Sequence, residues 1–483
     1  MFEHDAEEAW WAGVVAATRA ALADLPSDTR VEAIGLSACG PCLVPVDGAG
    51  RALRPGILYG VDTRASAQVA ATERAIGPDK VRADFGMPLS SQTVGPKIDW
   101  LVENEPETFA ATSQLLTANS FVAYRLSGRA CIDHHQAAYF APYYRDGAWD
   151  STYDTAGVVS RLPELAWSDE VIGAVTDAAA AQTGLPPGVP VVLGSSDGLT
   201  GAYGAGTQAE GDGVLNYGTT LGLTVFAPRT AATGGVWRTP GAVAGQDCLL
   251  AGLSTGGVLA TWFVEQLGRD LLVDAPDDAA GAYHRLAEEA ERSPAGAAGL
   301  LLLPYFAGER TPIYDPGAAG VLLGLRLSHS RGDLYRAVLE GTAYGIRHVL
   351  EEMSRLGGVV ETLRAVGGGL RTALWQQIVS DVTGLPQKII SPHHGAPVGA
   401  AHLAALGTGL VAEGHSPSSW VAVSKVVTPQ PAVRPVYDAR FAVYLEAYQR
   451  TRPLIEQLRP DDAHESFRST AGLLAASQPE KRS

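Results

Sequence analysis

Apolar positions recur every three to four residues from Asp5 to Leu25 and place Trp10, Val14, Ala17 and Leu22 toward one face of a predicted helix. Glu7 and Glu8 fall in its first turn, where the helix dipole favours acids. Short apolar runs broken by turn residues follow, and VEAIGLSA, LVPVD and ALRPGILY read as strands. From Thr63 to about Leu126 the pattern is mostly helical, and the prolines between Pro186 and Pro190 mark a break after which the chain turns glycine-rich. Beyond it VPVVLGSSDG, GVLNYGTT and LGLTVFA are strand-like segments joined by glycine turns. Helices are predicted at about Gly256 to Leu267, Gly332 to Arg355, Thr372 to Thr383 and Pro397 to Ala405. The result is an α/β chain in two halves, 1–189 and 190–459, followed by a polar tail, 460–483, expected to lack fixed structure.

Composition narrows the function. The 483 residues suffice for two or three domains, each with its own core, and a formal net charge of −16 argues against nucleic acid or any other polyanionic partner. The longest apolar run, Leu300 to Tyr305, is of strand length and is interrupted by Pro304, so no membrane span is expected. The acidic start, MFEHDAEEAWW, is unlike a secretory leader, and the expected location is cytoplasmic.

Cysteine spacing raises one chemistry and weakens it again. CGPC at 39–42 has the spacing of a redox dithiol, but such a motif opens a helix, whereas IGLSA before it and LVPVD after it read as strands joined by a hairpin-like passage. No second ligand pair stands at a zinc spacing. His134, His135, His393 and His394 read as surface-loop residues.

Each of the five lysines follows a residue other than glycine, which excludes a GxxxxGK[ST] loop and with it a Walker-type ATPase. Glycine turns close three apolar strands instead: GSSDG at 194–198, YGTT at 217–220 and GGGL at 367–370. Backbone N–H groups in such turns can cradle phosphate oxygens, although open α/β sheets need glycine turns in any case. The longest constrained pattern lies between them in GVLLGLRLSHSRGDLYRAVLE, 320–340. Gly320, Leu322, Gly324 and Leu325 come first, and Asp333, Leu334, Ala337, Val338, Leu339 and Glu340 then open an amphipathic helix.

At each constrained position that stretch resembles the second signature of the FGGY carbohydrate kinases, and the resemblance runs from about residue 6 to residue 455. It implies two actin-like, ribonuclease H-like domains that close over a catalytic cleft, with sugar on the first and ATP largely on the second. Asp197 matches the family's catalytic base and is the candidate carboxylate for Mg²⁺, while Gly218, Thr219 and Thr220 resemble the hairpin that holds the transferring phosphate. GERTPIYDP at 308–316 resembles a connecting loop, and Gly367, Gly368 and Gly369 resemble the adenosine-side turn. Asp381 in SDVTGLP and the PVGAAHLA helix extend the match. One carboxylate suffices for such chemistry, because phosphoryl transfer asks for in-line positioning and charge neutralisation more than for covalent help.

On the sugar side, LRPGILYGVDTRA resembles the family's sugar-domain motif, with Asp62 and Arg64 as hydroxyl-reading groups and Gly198 beside the base. Lys97 in SQTVGPKIDW reads equally as a surface cation. The resemblance is xylulokinase-like and favours D-xylulose, with ribulose, gluconate or another polyol as alternatives. Xylulokinases carry Gln-Met-His where this chain has Cys39, Gly40 and Pro41, and Asn where it has Gly198, which removes two specificity contacts. The family's opening Asp-x-Gly-Thr loop has no counterpart before Trp10, so the first domain is expected to be short of strands, with an open sheet edge and, as a second reading, a binding protein without turnover. A homodimer is expected only because relatives often form one.

Overall fold

The computed structural model describes residues 2–60, 62–207, 211–229, 234–273, 279–392, 394–412 and 414–458, so the expected polar tail and His393 lie outside the described residues. The first helical segment begins where the pattern placed it. Asp5 caps it by accepting from the backbone of Glu7 at 2.8 Å and Glu8 at 2.9 Å. Trp10 and Trp11 are buried, whereas α1 (Ala12–Ala23) has no fully buried residue.

Three strands make the sheet of the first half. β1 (Ile34–Ala38), β2 (Val171–Ala174) and β3 (Pro190–Ser196) run in the order β2–β3–β1, with β3 parallel to β1 and antiparallel to β2. Among the described residues β1 pairs with β3 alone, which leaves its other edge without a strand. Residues 190–196, expected to open the second half, belong to this sheet. The break in composition at the prolines is a turn inside the first half, and the sheets divide the chain later.

The second half is built on a mixed seven-stranded sheet. β4 (Gly211–Tyr217), β5 (Leu221–Pro228), β6 (Trp237–Pro240), β7 (Gln246–Leu253), β8 (Val360–Val366), β9 (Gln387–Ile390) and β10 (Val423–Val427) run in the order β6–β7–β5–β4–β8–β9–β10. β4 is parallel to β8 and β8 to β9; the other pairs are antiparallel. Five helices matter for the site: α2 (Asp197–Gly204), α3 (Arg331–Arg355), α4 (Ala373–Thr383), α5 (Ala396–Gly407) and α6 (Arg434–Leu458). The largest core cluster lies between this sheet and α3, α4 and α6, with Leu215, Leu223, Leu339, Ile346, Ile378 and Tyr444 among its members.

The 320–340 stretch is a scaffold. Val321–Leu323 pairs with Leu301–Leu303, and Gly324 takes a φ of +86° before the chain enters α3. Ser330 and Asp333 form a reciprocal cap at the start of that helix. Glu340 is buried and accepts from Arg336 Nε at 2.8 Å, from the Gly296 backbone at 3.0 Å and from the Tyr437 hydroxyl at 3.0 Å. The halves meet closely where α5 lies on β1 and α2: a Cβ on Gly399 would stand 1.8 Å from the Thr200 carbonyl oxygen. Among the described residues no helix is long and apolar enough to cross a membrane.

Candidate active site

Asp197 is placed by an irregularity in β3. Val191 and Val192 pair with Ile34 and Gly35, Ser195 and Ser196 pair with Ser37 and Ala38, and the register shifts between the two sets. Gly194 sits in that shift at a φ of +63°, and a Cβ there would lie 1.7 Å from the Leu36 carbonyl oxygen, so only glycine passes. The strand then ends at Ser196, whose hydroxyl accepts from the Leu199 backbone at 3.4 Å, and α2 opens with Asp197. The Asp197 residue is exposed, and partial desolvation by the surrounding protein raises its carboxyl pKa against a 2.9 Å hydrogen bond from the Gly198 backbone.

Behind it runs a buried polar relay. The Ser195 hydroxyl donates to Asp133 at 2.7 Å, and Gln136 donates to the same carboxylate through its backbone at 3.2 Å and its side chain at 2.7 Å. Burial pushes Asp133 up to about 6 despite these donors. His134 and His135, expected on a surface loop, flank this relay instead. His135 is buried, with Nδ1 2.9 Å from the Thr239 hydroxyl and 3.2 Å from the Pro240 carbonyl, and burial lowers its pKa to about 4. His134 is half-buried, 2.9 Å from the Tyr144 hydroxyl.

The CGPC passage comes to this site, a placement its spacing did not reveal. It is not a hairpin: β1 before it pairs with β3, while Val44–Val46 after it pairs with Gln114–Leu116. The Cys39 and Cys42 sulfurs are 3.8 Å apart as free thiols. A hydrogen bond with Cys42 holds Cys39 below the usual thiol range, against burial and the negative charge of Asp197, and the same bond and burial push Cys42 up. Asp197 also acts on Tyr59, whose hydroxyl is raised chiefly by burial.

Asp62 and Arg64 are brought together, but they engage each other. The carboxylate accepts from Arg64 Nε at 2.8 Å, from its terminal nitrogen at 2.7 Å and from the Phe2 backbone at 2.6 Å; Arg64 also pairs with Glu3 at 2.7 Å. Burial alone would raise Asp62, yet these donors bring it down to about 2. Lys97 is 1% exposed and so is no surface cation. Its ammonium donates to the Leu58 carbonyl at 2.9 Å and to that of Ser91 at 2.7 Å, and burial lowers it to about 8.

In the second half the glycine turns converge. Gly218, Thr219 and Thr220 form the loop of the β4–β5 hairpin, and the carbonyls of Gly218 and Thr219 accept from Gly257 at 2.9 Å and Gly256 at 3.0 Å, at the start of the helix Gly257–Leu267. β8 lies parallel beside β4, and Gly367 follows it at a φ of +107°, with room for no Cβ between Asn216 and Tyr217. Gly367, Gly368 and Gly369 therefore leave the carboxyl ends of the same parallel pair as the hairpin loop, where open α/β sheets take ligands. The 308–316 loop docks next to them: Glu309 accepts from the Ser254 backbone at 2.7 Å, and burial pushes it up to about 7. Asp381 on α4, by contrast, accepts from Gln377 and from the Gln430 backbone and is a packing residue.

Two family models divide the chain where its sheets divide. The N-terminal domain of the FGGY family of carbohydrate kinases matches residues 1–204 and the C-terminal domain matches residues 213–408. The chain belongs to this family. It is a sugar kinase, a phosphotransferase, and kinases of the FGGY family use ATP. A xylulose kinase of Staphylococcus epidermidis is 28% identical over 454 residues, 89% of this chain and 85% of the relative. A ribulokinase of Mycolicibacterium smegmatis is also 28% identical, over 80% of this chain and 72% of its own. The crystal structure of a xylulose kinase from Rhodospirillum rubrum superposes with a TM-score of 0.85 at 28% identity, covering 94% of this FGGY kinase and 91% of that chain.

Proposed function

We propose that this FGGY kinase transfers the γ-phosphoryl group of ATP to the terminal hydroxyl of a small ketose, D-xylulose in the first place, with Asp197 as the general base. The observation that carries the reading is the Asp197 carboxyl: open to solvent, aimed by the Gly194 irregularity and raised in pKa, which makes it a better proton acceptor than an ordinary aspartate. It accepts the hydroxyl proton as the oxygen bonds to phosphorus. The backbone of Gly218, Thr219 and Thr220 receives the transferring phosphate, and Gly367, Gly368 and Gly369 line the adenosine side.

Among the described residues no three His, Cys, Asp or Glu side chains gather as a metal site. That fits Mg²⁺, which takes few protein carboxylates and relies on phosphate oxygens and water. Asp197 is the carboxylate we assign to it, and the ion would neutralise charge on the phosphates. Gly198 leaves open space beside the base, since a Cβ there would meet only the Ser196 hydroxyl at 4.0 Å. Because Asp62 and Arg64 engage each other, sugar hydroxyls are met instead by Tyr59, Cys39 and the Gly198 backbone.

The test is ADP release with ATP and Mg²⁺ across D-xylulose, D-ribulose, L-ribulose, glycerol and gluconate. A highest kcat/KM on D-xylulose supports the assignment. A higher value on another sugar moves the substrate and leaves the reaction, and silence on all of them with a folded protein overturns the reaction.

A further inference from the structure

We propose that Cys39 and Cys42 form a reversible oxidation site in which exchange with a low-molecular-weight disulfide joins the two sulfurs and shuts down the sugar side of the cleft. The pair is built for this. Its sulfurs are 3.8 Å apart and in no disulfide, with Cys42 Sγ also donating to the Cys39 carbonyl at 3.6 Å, while a disulfide needs about 2.05 Å, a closure that side-chain rotation and a small loop movement supply. Cys39 is partly exposed and Cys42 buried, the division of labour between an attacking and a resolving thiol. Thiolate character at Cys39 is favoured by the bond with Cys42. Cys131 and Cys248 lack both properties: each is buried, and burial raises their thiols, Cys131 to about 11.

The exchange balances. The Cys39 thiolate attacks one sulfur of the external disulfide, whose S–S bond breaks and releases one small thiol after protonation. Cys42 gives its proton to water and attacks the Cys39 sulfur, and the mixed disulfide breaks to release the second small thiol. Two electrons pass from the protein sulfurs to the external disulfide.

A contracted 39–42 passage moves the base. Gly40 rests against Gln136, where a Cβ would come 2.7 Å from Oε1; Gln136 donates to Asp133 at 2.7 Å, and Asp133 accepts from Ser195, two residues before Asp197. Oxidation also removes the Cys39 thiol from the space shared by Tyr59 and Asp197. The switching half of the proposal rests on Asp197 being the transfer base; the oxidation half does not.

The test treats the full chain with glutathione disulfide, then with dithiothreitol, and reads free thiols, intact mass and sugar-dependent ADP release. The expected result is a fall from four free thiols to two without a retained glutathione, and activity lower by about tenfold or more that returns on reduction. Cys42→Ser, compared with its own reduced baseline, should instead keep one glutathione on Cys39. Bound sugar should slow the reaction. Four thiols after treatment, or loss of thiol from Cys131 or Cys248 in place of the pair, overturns the site. A disulfide that leaves ADP release unchanged overturns the switch. Disulfide formation in a chain that phosphorylates no sugar overturns the reading of Asp197, and the switch with it, but upholds the oxidation site.

Discussion

At Gly194 the backbone takes a φ of +63° with the Leu36 carbonyl 1.7 Å from where a Cβ would be, so Gly194→Ala carries both left-handed strain and a collision with a neighbouring strand. Gly188 separates the two effects, because its φ is +83° with nothing within 4 Å. Gly188→Ala should cost about 1–2 kcal/mol in urea unfolding, and Gly194→Ala more than about 3 kcal/mol with loss of turnover. Equal costs would show that the strand can move aside. At Asp197 the raised pKa sets a sign. The base must be ionised to work, so the acid limb of kcat/KM for sugar should lie above the ~3.9 of an ordinary aspartate. A limb at or below that value would remove Asp197 from the base role. What a sequence shows of single residues depends on where their partners lie. The catalytic candidate was legible because its glycines are adjacent to it in the chain. Lys97 was not, since the Leu58 carbonyl that buries it lies 39 residues away and shows no pattern of its own.

Elements were read best where one face repeats locally. The helices at Gly257–Leu267, Arg331–Arg355, Ala373–Thr383 and Ala396–Gly407 came from their period to within a few residues. α6 was missed, although Tyr437, Phe441, Tyr444 and Tyr448 mark its buried face, because Pro435 and Pro453 interrupt the run. The 320–340 pattern carried the family resemblance most strongly, and the structure shows its acids capping α3 and holding the Gly296 turn. Ser330→Ala should therefore lower stability by about 1 kcal/mol in urea unfolding and leave kcat alone. The 308–316 loop gives a pH test. Glu309 is raised to about 7 in the fold, whereas an unfolded glutamate titrates near ~4.3, so the folded state holds a proton that the unfolded state has lost between those values. Its contribution is fully present below ~4.3 and is lost as pH rises through about 7. Unfolding midpoints at pH 5 and pH 8 should differ less in Glu309→Gln than in the wild type. An equal difference would mean that Glu309 is ionised throughout.

On the proposed function, the two sheets contribute different parts of one reaction. Asp197 leaves the end of β3 in the first, and both glycine turns leave the parallel pair β4 and β8 in the second. Contacts across the halves tie them: His135 to Thr239, the Ser168 backbone to Ala242 at 3.0 Å, and α5 against α2. This scale was least legible in the sequence, because composition changes at the prolines near 186, whereas strand pairing carries the first sheet on to Ser196. Pairing between residues some 150 positions apart leaves no local trace. The proposed reaction stands on the Asp197 carboxylate at the end of the first sheet. The direct measurement is kcat for ADP release by Asp197→Asn beside the wild type on its best sugar, with sugar binding followed by calorimetry. The expected result is an intact fold, retained sugar binding and a kcat lower by about 10²–10⁴. An unchanged kcat would contradict it.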